Sequence, residues 1–255
     1  MNKTNTKWTK DNYKWKLLGT GNPKTLKGQK KGYMTYIMHM SPFNHNSMGV
    51  NICPMASPGC ATACLNHSGR GGIFKGIEES RIRKTEFYLN DRIGFLDKLI
   101  KEIGNKKRYH EKKKDYIPVF RLNGTSDIRW EKQKASNGRT IFETFPGLQF
   151  YDYTKIPNRF FQDMPKNYHL TFSRSEKNDK ACDEVLAAGF NVAYVFDKLP
   201  TEWNGYKVID ADETDLRFLD KKNVIVGLKY KKMTSKGFDN ATFVKENDFI
   251  INTGL

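Results

Sequence analysis

The stretch Tyr116-Ile-Pro-Val-Phe-Arg-Leu122, followed directly by Asn123-Gly-Thr-Ser-Asp127, decides the fold of this chain. Its first part is apolar and β-prone, and its second part is a polar loop with a glycine, so it predicts a strand that delivers polar residues at its carboxyl end. The same pattern returns later, at Leu148–Tyr153 with Thr154-Lys155 and at Tyr168–Phe172 with Ser173-Arg-Ser175. Strands that alternate with helical segments predict an α/β fold built from parallel βαβ units.

The number of such strands limits the architecture. Four more candidate strands are Tyr33–Met40, Asn191–Phe196, Lys207–Asp210 and Asn223–Tyr230. Apolar residues at helical spacing between Glu78 and Ile103 predict one long or two abutting helices. A chain of 255 residues with an N-terminal arm and long loops leaves few residues for eight strand–helix units. We therefore expect an incomplete (partial) βα TIM-like barrel with parallel strands over residues 33–255 as a single domain, preceded by an irregular basic N-terminal arm at residues 1–32. A doubly wound sheet has the same periodicity, and in both folds ligands collect at the carboxyl ends of the strands.

The loop Cys53-Pro-Met-Ala-Ser-Pro-Gly-Cys60-Ala-Thr-Ala-Cys64 holds three of the four cysteines. Soft sulfur ligands select zinc, copper(I) or iron–sulfur clusters, so this loop is a candidate metal site. The fourth cysteine, Cys182, is distant in sequence. Two arrangements remain open: three protein ligands with one open position, or a set completed by His45 or His67.

Composition limits the partners and the compartment. The formal net charge is +16, which favours polyanions such as nucleic acid, although solubility alone also accounts for such a charge. No apolar stretch approaches the roughly 20 residues that cross a bilayer, so we expect no membrane association and a cytoplasmic protein whose cysteines stay reduced. The sequence also lacks a phosphate-binding Gly-x-x-x-x-Gly-Lys-Ser/Thr motif and a Gly-x-Ser-x-Gly elbow, which argues against those enzyme classes.

A strand, a three-cysteine loop and repeated strand–helix units together resemble the radical S-adenosylmethionine (radical SAM) superfamily. A set of motifs more narrowly resembles a bacteriophage protein family with that fold: the cysteine loop with Leu65-Asn66, then Arg121–Asp127, Phe150–Lys155, Leu170–Arg174 and Asp212–Arg217. The resemblance covers about residues 33–230. The loop departs from the superfamily pattern, because its cysteines are separated by six and three residues rather than three and two, and Ala63 stands where an aromatic residue is usual.

The resemblance implies a [4Fe–4S] cluster on Cys53, Cys60 and Cys64, with one iron open to bind S-adenosylmethionine. It implies further residues that hold this cofactor: Asn123, Gly124, Thr125, Ser126, Asp127, Ser173 and Arg174. Asp152 and Lys155 would then face the substrate as catalytic residues. The plainer interpretation of each of these positions is a turn cap or a surface ion pair.

Two hypotheses of function follow. The first is a phage-encoded iron–sulfur, radical SAM-like enzyme that modifies a nucleotide or nucleic acid in the host cytoplasm and takes electrons from a donor. The second is a non-catalytic nucleic-acid-binding protein whose cysteine loop is a structural zinc or cluster site. A dense acidic cluster, Asp210, Asp212, Glu213 and Asp215, is expected either to bind a cation or substrate amine or to begin a helix.

Overall fold

The computed structural model describes residues 14–20, 23–43, 45–67, 73–233 and 238–254. The α-helices in these ranges are α1 (Pro23–Leu26), α2 (Pro58–Thr62), α3 (Lys75–Asn90), α4 (Arg92–Lys113), α5 (Ile141–Thr144), α6 (Asp179–Ala187) and α7 (Asn240–Glu246). The strands are β1 (Tyr33–Ile37), β2 (Ile117–Arg121), β3 (Gln149–Thr154), β4 (Tyr168–Ser173), β5 (Val192–Phe196), β6 (Glu202–Trp203), β7 (Tyr206–Asp210), β8 (Ile225–Lys229) and β9 (Ile250–Ile251). Short 3₁₀ helices occupy Lys27–Lys31, Leu65–His67, Trp130–Lys132, Pro157–Phe160 and Arg217–Leu219.

These strands form a nine-stranded, mostly parallel sheet with the order β1-β2-β3-β4-β5-β8-β7-β6, and β9 pairs with β5. The antiparallel exception is the hairpin of β6 and β7, whose turn uses Asn204 and Gly205 at φ values of 50° and 79°. The predicted α/β class with parallel strands is confirmed. Over the described ranges the sheet is not closed, so the TIM-like barrel is not confirmed.

The chain divides into two compact units. The first unit is Met1–Pro54, Gly76–Asp152 and Met164–His169, and the second is Met55–Lys75, Tyr153–Asp163 and Leu170–Leu255. Strands β3 and β4 contribute residues to both.

Aromatic side chains build the core of the first unit. The predicted helical stretch is two helices, and Asp91 begins α4 by accepting a hydrogen bond from the Gly94 amide at 2.9 Å, as an N-cap residue does. Phe95 of α4 stacks on Trp130. The ring of His110, also in α4, contacts Tyr36 of β1, and the ring of Phe142 in α5 contacts Phe150 of β3. Helices α4 and α5 therefore pack on the sheet face that carries Tyr36, Phe120 and Phe150.

Part of the predicted arm belongs to the core of this unit. The backbone amides of Leu17 and Leu18 donate to the carboxylate of Glu102, and both leucines are buried. Trp15 lies over the guanidinium of Arg83 at 4.0 Å. Residues 1–13, with Trp8 and Tyr13, lie outside the described residues. The prediction of an irregular arm is wrong for α1 and for Lys27–Lys31, which are helical.

In the second unit, Phe172 of β4 packs against Phe160, and Ala193, Ala211 and Val226 form a small buried cluster. Helix α6 ends before Gly189, whose φ of 84° is the left-handed conformation that glycine accepts without strain. The short strands β6 and β9 have two residues each, and no sequence pattern predicted them. Among the described helices of the chain, none is long and apolar enough to cross a membrane.

Candidate functional site

The loop after β2 is held tightly in the first unit. The thiol of Cys53 contacts the carbonyl oxygen of Thr125 at 3.6 Å, so the structure brings one predicted metal ligand next to one predicted cofactor residue. The Thr125 hydroxyl donates to the Met40 carbonyl at 2.5 Å. The Asp127 amide donates to the Ile52 carbonyl at 2.9 Å. These bonds tie the loop after β2 to the segment that carries Cys53.

Asn123 organises this loop from within. Its side-chain oxygen accepts hydrogen bonds from the Ser126 hydroxyl, the Ile128 amide and the Trp130 indole, and its amide group donates to the Ile128 carbonyl. An asparagine side chain has two donor hydrogens, so only one remains for other contacts. Asn123 and Ser126 therefore hold the loop in shape, and their predicted contact with a cofactor remains untested.

Asp152 of β3 is fully buried, with 0 % of its surface exposed. Its carboxylate accepts hydrogen bonds from the backbone amides of Leu122 and Asn123 and from the hydroxyl of Tyr168 at 2.8 Å. Because side chains alternate along a strand, Asp152 shares with Phe150 the sheet face that α5 covers. This placement favours a structural role, and the prediction of catalysis by Asp152 remains untested.

In the second unit, Glu176 anchors the start of α2. Its carboxylate accepts hydrogen bonds from the Ser57 hydroxyl at 2.6 Å and from the Gly59 amide at 2.8 Å. Burial acts to raise the pKa of Glu176, but these hydrogen bonds outweigh it and lower the pKa below its usual value. The Asn247 side chain donates to the Gly59 carbonyl and the Thr62 hydroxyl oxygen. Helix α2, which carries Cys60, is therefore clamped by two side chains that are remote in sequence.

Cys60 and Cys64 lie in the second unit, and Cys53 lies in the first. None of the three is in a disulfide and all are half-buried, and the Asn66 amide points to the Cys64 sulfur at 3.5 Å. Among the residues that the structure places, no three His, Cys, Asp or Glu side chains converge as a metal-binding group. The ring of His45 contacts Phe43, whereas the side chain of His67 lies outside the described residues.

Two predicted residues from different strand ends meet in the second unit. The ammonium group of Lys155 donates to the Ser173 hydroxyl oxygen at 2.8 Å and lies 5.4 Å from the centre of the Phe249 ring. The neighbouring guanidinium of Arg174 is held by Asp179 at 2.8 Å and by the Asp248 and Phe249 carbonyls. Lys155 and Ser173 thus form a polar pair, while Arg174 is engaged within the protein.

The acidic cluster after β7 is compensated by two lysines. Asp210 pairs with Lys229 at 3.5 Å, and Asp212 pairs with Lys231 at 2.8 Å. The Asp212 amide donates to the Asp210 side chain. The segment that follows is a 3₁₀ helix from Arg217 to Leu219. Ion pairs with Lys229 and Lys231 therefore account for the presence of two of the four carboxylates, those of Asp210 and Asp212.

Two residues near the cysteine loop were missed by the sequence analysis, namely Glu176 and Asn247. They contact α2 across 117 and 185 to 188 residues of chain, and each is an isolated polar residue in a loop. No local pattern marks such partners. Pro58, within α2, and Ser57, which caps it by accepting from the Cys60 amide, did carry a local signal for a helix start.

The fourth cysteine allows a direct test of the thiol environments. Cys182 of α6 is fully buried, and burial raises the pKa of its thiol to about 12. Because the thiolate is the reactive form, iodoacetamide at pH 8 should alkylate Cys53, Cys60 and Cys64 of the metal-free, folded protein, and Cys182 only after denaturation. Mass spectrometry of tryptic peptides measures this. Labelling of Cys182 at the rate of the other three would contradict its placement.

Comparison with known proteins places the chain in a family. The model of the family described as Gene product 88 matches residues 15–246, which is most of the chain and includes every site residue that the sequence predicted. No curated protein and no solved structure matched the chain. The chain belongs to the Gene product 88 family, a family of phage gene products, and the expected phage setting is thereby confirmed.

Proposed function

We propose that Cys53, Cys60 and Cys64 bind an iron–sulfur cluster and that the protein is a phage-encoded, radical SAM-like enzyme acting on a nucleotide or nucleic acid. One observation carries the proposal: three half-buried cysteines, none of them in a disulfide, lie within twelve residues, whereas Cys182 is buried in the core. Packing of the core gives no reason for three partly exposed thiols on one loop. Metal binding gives such a reason, because thiolates are the protein ligands of iron–sulfur clusters.

The donor chemistry of the cysteine loop fits a cluster, because Cys53, Cys60 and Cys64 supply three thiols of the kind that holds iron–sulfur clusters. The segment from Pro54 to Ala56, which follows Cys53, is not in any helix or strand. In the second unit, Glu176 and Asn247 would hold α2, which carries Cys60, in place.

A bound cluster with one open iron would supply reductive cleavage of the sulfonium bond of S-adenosylmethionine. The residues of this chain would bind and orient the substrate and the cofactor. Lys155, with its ammonium group on the Ser173 hydroxyl, offers a cation to an anionic substrate or to the cofactor carboxylate. Arg174 reaches a carboxylate only by exchanging Asp179, which already occupies its guanidinium. The net charge of +16 supports a polyanionic substrate.

Anaerobic purification followed by metal analysis and absorbance spectroscopy tests the metal. We expect a brown protein with about four irons per chain. Cys60→Ala should lose the iron, and the matched control Cys182→Ala should keep it. A colourless protein with about one zinc per chain would overturn the cluster and favour a structural zinc site.

The reaction has a separate readout. With dithionite supplying one electron per cleavage and a C–H group of the substrate supplying a hydrogen atom, S-adenosylmethionine should yield methionine and 5′-deoxyadenosine. Chromatography of the products measures this. Formation of 5′-deoxyadenosine by Cys60→Ala at the wild-type rate would remove Cys60 from the set of ligands. An iron-loaded wild type without product would leave a cluster protein that lacks the proposed chemistry.

A further inference from the structure

Two basic segments meet at the amino ends of β1 and β2 in the first unit. The helical turn Lys27–Lys31 leads into β1, and the end of α4 leads into β2. Tyr33 pairs with Ile117 in the sheet, and the Ile117 amide donates to the Gly32 carbonyl at 2.9 Å. The two segments therefore enter the sheet side by side. This edge is the opposite end of β1 and β2 from the loops that carry Cys53 and Asn123.

Five exposed lysines on these segments can meet a ligand: Lys30, Lys31, Lys112, Lys113 and Lys114. We call this set, with Arg108 and Tyr109, the amino-edge surface. The acidic residues of the α4 segment are already engaged. Glu111 pairs with Lys107, and Asp115 bonds to His110 and to the Tyr116 amide. The hydrogen bond with His110 holds the pKa of Asp115 below its usual value. In the part of the chain that the structure describes, both carboxylates are therefore committed to partners other than the five lysines.

The surface is fixed to the core of the unit. His110 is buried and hydrogen-bonds to the Tyr36 hydroxyl at 2.8 Å, which ties the last turns of α4 to β1. Lys114 ends the helix in the left-handed conformation, at φ 54°, and its amide donates a hydrogen bond to the His110 carbonyl. A charged surface held this rigidly loses little conformational freedom of the backbone when a ligand binds.

An exposed aromatic ring lies among these charges. Tyr109 is 51 % exposed, and it lies one helical turn before Lys112 and Lys113, so the three side chains are neighbours on α4. Its ring meets the His110 ring edge-on at 5.1 Å between centroids. Arg108, also exposed, lies one turn before Lys112. Aromatic and arginine planes among lysines can stack on unpaired bases while the lysines meet phosphates.

We propose that the amino-edge surface binds single-stranded nucleic acid, with the lysines on phosphates and Tyr109 stacked on a base. Charge complementarity selects a polyanion, and the exposed tyrosine selects a strand whose bases are unpaired, since bases in a duplex are not open to stacking. The inference rests on the nucleic-acid substrate of the proposed function and is independent of the cluster. It gives the protein a docking surface remote from the strand ends that carry Cys53 and Asn123.

Fluorescence anisotropy with a labelled single strand of about 15 nucleotides tests the charge contribution. The variant is Lys112→Gln, Lys113→Gln and Lys114→Gly combined, because glutamine suits a helix and glycine suits the left-handed position 114. The matched control removes three charges from exposed lysines of the second unit, Lys221→Gln, Lys222→Gln and Lys232→Gln. Circular dichroism should show that both variants are folded.

The proposal expects a distinct salt dependence. Each phosphate contact contributes about 0.7 to the log–log slope for single strands, so loss of three contacts should lower the slope by about 2. At 1 M salt the electrostatic term is small, so the variant and the wild type should bind about equally. At 0.1 M salt the difference in slope should make the variant bind roughly 100-fold more weakly than the wild type. The control variant should bind like the wild type. No binding by the wild type, or equal loss in both variants, would overturn the proposal.

Tyr109 tests the stacking. Tyr109→Ala should weaken binding about 5-fold or more, whereas Tyr109→Phe keeps a ring and should bind nearly as the wild type does. A duplex of equal length should bind more weakly than the single strand, and tighter duplex binding would overturn the single-strand assignment. If the protein contains no iron but binds the single strand, the docking surface stands and the proposed chemistry fails. If it contains iron but does not bind the single strand, the proposed chemistry stands and the docking surface fails.

Discussion

Asp152→Ala is expected to lower the free energy of unfolding by about 3–5 kcal/mol. The substitution leaves the amides of Leu122 and Asn123 and the hydroxyl of Tyr168 without their common acceptor. A buried donor without an acceptor costs about 1–3 kcal/mol, and the three costs add only in part because the donors share one carboxylate. The loop after β2 should lose its shape first, since two of the three donors begin it.

Urea unfolding of the wild type and of graded variants measures this effect. Tyr168→Phe removes one donor and should cost about 1 kcal/mol. Asp97→Ala is the matched control, because Asp97 also accepts a backbone amide and a hydroxyl, both from Ser136, but at an exposed position. Its loss should stay below about 1 kcal/mol, since water replaces the lost partner. Equal effects of Asp97→Ala and Asp152→Ala would contradict the buried clamp.

The same variants bear on the catalytic prediction. If Asp152 acts on the substrate, Asp152→Asn should lose activity even where the variant is folded and retains its iron. If Asp152 only holds the loop, the loss of activity should follow the loss of stability across the series. The contacts in the structure favour the second result, because two backbone amides and one tyrosine hydroxyl already occupy the carboxylate.

Seven of the nine strands were predictable because their signal is local. Tyr168–Ser173 alternates apolar and polar residues, and the predicted strand at Tyr168–Phe172 differs from β4 by one residue. Helices α3 and α4 were predictable for the same reason, as their apolar residues recur at helical spacing over a long stretch. The order and closure of the sheet depend instead on hydrogen bonds between residues remote in sequence, such as the Val195–Ile250 pairing. Periodicity carries no information about such pairs.

The placement of polar residues at strand ends was predictable, whereas the hydrogen bonds that each of them makes were not. That polar residues follow β2 and β4 could be read from the sequence, and Lys155 and Ser173 do meet. The sequence does not reveal that Asn123 uses most of its hydrogen-bonding capacity inside its own loop, because the partner Trp130 lies beyond a turn. It also does not reveal that Arg174 is held by carbonyl groups of residues 248 and 249.

Gly124→Ala is the second substitution with a large expected effect, a loss of about 3 kcal/mol in the free energy of unfolding. A β-carbon at position 124 would lie 2.5 Å from the Met38 carbonyl oxygen, 2.9 Å from His39 and 3.0 Å from Ile37. The Gly124 amide donates to that same carbonyl at 2.9 Å, so relief of the clash weakens the hydrogen bond. Overpacking in a tight region costs about 1–3 kcal/mol, and we expect the upper end because the obstructing atom is backbone.

Gly147→Ala provides the matched control, because a β-carbon there meets nothing within 4 Å. The control should be neutral or stabilising by up to about 1 kcal/mol, since alanine restricts the unfolded chain. Gly124→Ala should in addition raise the rate at which iodoacetamide alkylates Cys53, because displacement of the loop removes the Thr125 carbonyl from the thiol. Thermal unfolding and alkylation kinetics measure the two effects. A stable Gly124→Ala protein with unchanged Cys53 reactivity would mean that the loop after β2 does not pack against β1 as closely as described, and the link from that loop to Cys53 would fail with it.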